Sequence, residues 1–78
     1  MSSLAVAEIG QRVRITRAEL EHDISAWLAA VGLAEGEEVV VLRRAALGGP
    51  LHVRLSTGGE FAVARDIAQH LSVEAVVP

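Results

Sequence analysis

His22, His52 and His70 are the chain's only nitrogen donors suited to a transition metal, and the sequence contains no cysteine to supply a thiolate. Glu19, His22 and Asp23 stand at i, i+3 and i+4, a spacing that on a helix puts one imidazole and two carboxylates on the same face. Such a set would hold Fe²⁺ or Zn²⁺ weakly, with a second molecule completing the shell as a metal-mediated homodimer, because a divalent ion takes more ligands than one open face offers. The same three residues are equally an ordinary solvated flank, the commoner fate of charged side chains. Asp66 and His70 repeat the i, i+4 spacing with too few donors for a closed site. His52 alternates outward between Arg54 and either Arg43 or Arg44, and neighbouring cations disfavour a metal there. No cofactor is required by any of these spacings.

Covalent chemistry has no legible constellation. No serine has a histidine and a carboxylate in a recognisable arrangement, and Glu37 and Glu38, adjacent on a strand, point to opposite faces. The stretch GGPLHVRLSTGG has glycines and a serine but not the order of a phosphate-binding loop. An enzyme is therefore not expected. The arginines are more suggestive: Arg43, Arg44 and Arg54 fall on two strands joined by the turn that carries Leu47 and Gly48, while six carboxylates lie between Glu19 and Glu38. This basic hairpin and its tip would contact an acidic or apolar patch of a partner, where arginine can bond bidentately. Charged strand edges that keep a sheet soluble would read the same way.

The elements that place these residues follow from periodicity. GQRVRIT alternates with Val13 and Ile15 inward, as a strand with one dry face. Thr16 stands three residues before Glu19, a capping-box spacing that predicts a helix over about 17–31. Leu20, Ile24, Trp27, Leu28 and Val31 draw one apolar stripe along it, with Trp27 expected inside the seam between helix and sheet. Gly32 ends the helix, and Leu33 packs back on it. The unbroken run in EEVVVLRR predicts a strand buried on both sides. LHVRLS alternates with Leu51, Val53 and Leu55 inward, and Pro50 suits the start of that strand. After the STGG turn come EFAVA as a strand, a short helical turn near 65–71 and SVEAVV as a closing strand. The expected fold is mainly β: a small five-stranded antiparallel barrel with one amphipathic helix after the first strand.

Bulk properties narrow the role. The 78 residues suit one domain, 1–78, with an ordered core of about 9–77. A net charge of -3 and a pI near 5.5 argue against a nucleic-acid partner, which needs several cations acting together. MSSLAVAEIGQR lacks a basic start and an unbroken apolar stretch, so it does not read as a signal peptide, and no run is long enough to insert in a membrane. A cytoplasmic protein is the expectation.

Several short motifs together resemble one family. WLAAVGLAEGEEVVVLRRAALGGPLHVRLS is similar to the ferrous iron transport protein A family, with Gly32, Leu33, Gly36, Ala45, Leu47, Gly48 and Pro50 in register. The tail FAVARDIAQHLSVE matches through Ala62, Arg65, Ala68, Val73 and Glu74, so the resemblance covers roughly residues 9–76. Ala34 and Ala46 stand where the family usually has prolines, Gly49 where it has an acid, and Trp27 where a basic residue is common. The resemblance implies a freestanding SH3-like domain, accessory to the membrane ferrous iron transporter protein B and its cytosolic GTPase domain. A more distant likeness to the C-terminal domain of iron-dependent repressors of the diphtheria toxin repressor type implies a different role: a small metal-responsive protein that binds a divalent transition metal and self-associates. Proline-peptide binding is not expected, since Trp27 and Phe61 are too few aromatics for such a groove.

Overall fold

A computed structural model describes residues 2–77. Six strands form one antiparallel sheet in the order β1-β6-β2-β3-β4-β5, where β1 is Ser2–Ser3, β2 Arg12–Ala18, β3 Glu38–Arg44, β4 Leu51–Leu55, β5 Glu60–Val63 and β6 Leu71–Ala75. Helix α1, His22–Val31, joins β2 to β3, and the single turn α2, Arg65–Ala68, joins β5 to β6. The mainly β architecture with a helix after the first long strand is the expected one. Its strand count is six rather than five, because the N-terminal Ser2–Ser3 pairs with Val73 and Ser72 of β6. A 3₁₀ turn, Leu4–Val6, then carries Leu4 and Ala5 into the core, so packed structure begins well before residue 9.

The alternation read from the sequence is the alternation of burial. Val13 and Ile15, then Leu51, Val53 and Leu55, point into one core with Val39, Val41, Val63, Leu71 and Val73. β3 departs from expectation: Val39 and Val41 are buried, but Val40 and Leu42 are only partly so. Val40 lies between Arg12 of β2 and Arg54 of β4 in the ladder, so its outer side is covered by guanidinium-bearing side chains rather than by a second apolar layer.

Helix α1 starts later than the capping-box spacing predicts. Residues 16–18 remain in β2, which passes an irregularity in register between Ile15 and Arg17 and pairs Arg17 with Ser72 and Ala18 with Leu71. Those pairings are worth more than one capping bond, so Thr16 is strand, its hydroxyl oxygen buried without a partner. Glu21 becomes the N-cap, with no side-chain bond, and the Ser25 N–H donates to its carbonyl at 2.9 Å. The C-terminus is as expected. Gly32 adopts φ 103°, its N–H donates to Ala29 O at 3.1 Å, and the Leu33 N–H donates to Leu28 O at 2.8 Å, a Schellman closure with Leu33 buried behind it.

Candidate functional site

The β3–β4 hairpin shifts register between Val41 and Arg43, and its turn is made by two left-handed residues. Ala45 N donates to Pro50 O at 3.0 Å and Gly49 N to Ala46 O at 3.2 Å, leaving Leu47 and Gly48 at the tip with φ 59° and 75°. Two positive φ values in a tight hairpin turn are the signature of the type I′ family, whose first central position normally holds Asn, Asp or Gly. Here it holds a leucine, with its side chain wholly in water (105% exposed). A Cβ at Gly49 would stand 2.7 Å from that of Ala45, so this turn has no room for the acidic residue usual in the resembling family.

Arg43, Arg44 and Arg54 have separate surroundings. Arg43 is exposed and pairs across the ladder with His52, its Nη2 donating to His52 Nδ1 at 3.3 Å; His52 Nε2 meets Glu60 Oε1 at 2.6 Å. Arginine can only donate, so Nδ1 accepts, and the imidazole carries its proton on Nε2 facing the carboxylate. Both ring nitrogens are occupied. Arg44 turns toward the N-terminal segment, with Nε donating to Ala5 O at 2.9 Å and Nη2 to Ala7 O. Arg54 is exposed, and the depression between it and Arg12 has Val40, Leu55 and Ser56 in its lining. Among the described residues Arg43, Arg54 and Arg65 pair with no carboxylate. Sequence reasoning did not include Arg65: it comes from α2, and only the tertiary fold lays its side chain beside Gly48.

The candidate metal ligands are not gathered. Glu19 precedes α1, pairs with Arg17 at 3.8 Å and gives its N–H to His70 O at 2.9 Å. His22 and Asp23 are the exposed first residues of the helix, so the helical spacing that would align all three does not include Glu19. α2 ends at Ala68, which leaves His70 beyond the helix that holds Asp66. Among the described residues no three His, Asp or Glu side chains stand where they could hold one ion. Trp27 differs from its expected place: it is half-exposed on the helix flank, its ring tilted 58° against Phe61 with centroids 5.4 Å apart.

With this geometry in view, the FeoA domain family matches residues 2–75. The chain belongs to the FeoA family. Its fold is that of iron(II) transport protein A from Clostridium thermocellum, with a TM-score of 0.86 and 26% identity over 95% of this chain and 45% of that one. The FeoA protein from Chlorobium tepidum is similar with a TM-score of 0.86 and 27% identity, over 96% of this chain and 70% of that one. This FeoA chain thus spans less than half the length of the Clostridium protein. A manganese-dependent transcriptional repressor shares the SH3-like fold, with a TM-score of 0.84 and 19% identity over 95% of this chain and 36% of the repressor. No curated protein matches the chain significantly. The FeoA family is associated with ferrous iron transport. No helix among the described residues is long and apolar enough to cross a membrane.

Proposed function

We propose that this FeoA chain is a non-catalytic cytoplasmic accessory protein of bacterial ferrous iron uptake, which binds the membrane ferrous iron transporter protein B on its cytosolic GTPase domain and modulates it. One observation carries the reading: Leu47 is held fully exposed in a left-handed conformation that leucine disfavours, at the end of a hairpin whose Arg43 and Arg54 pair with no carboxylate among the described residues. Exposure and backbone strain both work against the isolated domain, and both are repaid when Leu47 enters an apolar pocket of a partner. Arg43, on the strand leading into the turn, and Arg65, beside Gly48, flank that anchor with donors for carboxylates, Arg54 extends the basic surface toward the other end of the hairpin, and Gly48 lets the partner approach the backbone closely. Arg44 supports the turn from within through its bonds to Ala5 O and Ala7 O. Modulation follows if one state of the transporter binds this tip better than another.

Titrating the chain against the transporter's isolated GTPase domain tests the reading. Leu47→Asn, which suits the turn, is expected to weaken binding about 10- to 100-fold, the range for losing one buried leucine. Arg43→Glu with Arg54→Glu is expected to weaken it further and to lessen its salt dependence. Binding indifferent to all three changes would overturn the assignment. Light scattering with Zn²⁺ or anaerobic Fe²⁺ is expected to leave the mass unchanged; a metal-dependent dimer lost in His22→Ala would instead establish the metal-responsive role, with His22 among the ligands.

A further inference from the structure

Helix α1 is apolar on two sides. Leu28 is its one fully buried residue, Ile24 and Val31 pack partly on the core, and Ala26, Trp27, Ala29 and Ala30 are exposed. A helix at the surface of a finished assembly normally presents charged and polar residues outward, whereas here they are confined to His22, Asp23 and Ser25 in the first turn or so. Trp27 keeps 53% of its surface in water. Its indole is nonetheless held against Phe61, so little conformational freedom remains to be lost if something covers it. An ordered, half-exposed tryptophan is the residue type most enriched at interface centres.

Charge decides the occupant. No arginine lies between Ala18 and Leu42, and the chain contains no lysine. Glu21 and Asp23 at the start of α1 and Glu35 just past its end are exposed; Glu35 Oε2 accepts the Ala18 N–H at 3.3 Å, and none of the three forms an ion pair among the described residues. A second copy laid antiparallel on this helix would set Glu35 of one molecule against Glu21 and Asp23 of the other; laid parallel, it would stack identical acids. Both arrangements place like charges together in a desolvated contact. From these observations we infer that the outer face of α1, centred on Trp27 with Ala26 and Ala30, is the seat for an amphipathic helix of a partner protein that carries Lys or Arg beside its apolar stripe. The alanines allow the two axes to approach closely, and the acids at either end pair with the partner's cations. This seat carries the opposite charge from the Leu47 turn. It does not depend on that turn's role.

Trp27 is the chain's one tryptophan, so its emission reports on its own site. The probes are a synthetic amphipathic Leu/Lys helix without aromatic residues and its Leu/Glu counterpart. The Lys peptide is expected to shift Trp27 emission to the blue in a saturable way, and the Glu peptide to leave it unchanged. Ala30→Glu is the decisive variant: it adds negative charge, so a merely electrostatic association would tighten, whereas an apolar seat predicts a loss of affinity of about tenfold or more. Asp23→Lys, which leaves the alanines in place, is expected to weaken the Lys peptide as well. Absence of a blue shift with the Lys peptide, or affinity unchanged or raised by Ala30→Glu, overturns the proposal. A blue shift that grows with protein concentration alone also overturns it, in favour of a second copy as the occupant.

Discussion

Arg43 and Arg44 are neighbours in sequence and opposites in the fold. Arg43 remains at the surface against His52, while Arg44 reaches two carbonyls of the N-terminal segment. Arg44→Ala is therefore expected to cost about 2 kcal/mol, the range for hydrogen bonds from a charged donor, in urea unfolding, with faster hydrogen exchange over Leu4–Ala7. Arg43→Ala should stay within about 0.5 kcal/mol of the parent. That a basic hairpin existed was legible from spacing; which arginine it offers outward was not, since the carbonyls that claim Arg44 lie far off in sequence. Leu47 gives the converse case. Its left-handed φ of 59° costs the free domain energy, so Leu47→Asn is expected to raise stability by about 1 kcal/mol, read as a higher urea midpoint, while weakening partner binding. A rise in stability together with a loss of affinity would separate a contact residue from a structural one.

At the scale of the element, α1 shows local and distant forces in competition. Its C-terminus was legible because the Gly32 closure is local, made only of Leu28, Ala29, Gly32 and Leu33. Gly32→Ala is expected to cost about 1–2 kcal/mol by thermal or urea unfolding, from the left-handed backbone alone, because a Cβ there would meet Leu55 Cδ1 at an ordinary 3.5 Å. The N-terminus was not legible: Thr16 and Glu19 have capping-box spacing, but β2 keeps residues 16–18 for pairing with β6. Leu28 anchors the helix to the core, so Leu28→Ala should destabilise the domain by about 2–5 kcal/mol. Trp27→Ala, on the exposed flank, should cost much less. Equal losses at the two positions, measured by urea unfolding, would contradict this division of the helix into a seated and an open side.

For the molecule as a whole, the N-terminal segment is part of the barrel. β1 extends the sheet at β6, and Leu4, Ala5 and Ala7 are buried. Removing residues 2–7 loses the burial of Leu4 and both Arg44 bonds, an expected cost of at least about 3 kcal/mol in urea unfolding, large against the usual stability of a domain this small. An unchanged midpoint would show the segment to be an appendage. Charge is also distributed at this scale: the run from Ala18 to Leu42 is free of arginine, whereas Arg43 and Arg65 lie by the β3–β4 turn and Arg54 at the other end of β4, and among the described residues none of the three pairs with a carboxylate.

The amino-acid order by itself determined the features that depend on near neighbours: the inward faces of β2 and β4, the Gly32 stop, the turn between Ala45 and Pro50, and the segregation of charge along the chain. Strand alternation and helix caps operate within a few residues, so their patterns can be read directly. Only the tertiary structure decided the late start of α1, the inward turn of Arg44, the placement of Arg65 beside Gly48, the dispersal of Glu19, His22 and Asp23, and the exposure of Trp27. Each of these follows from pairing or packing between distant segments, whose energies override local preference and leave no periodic trace in the sequence.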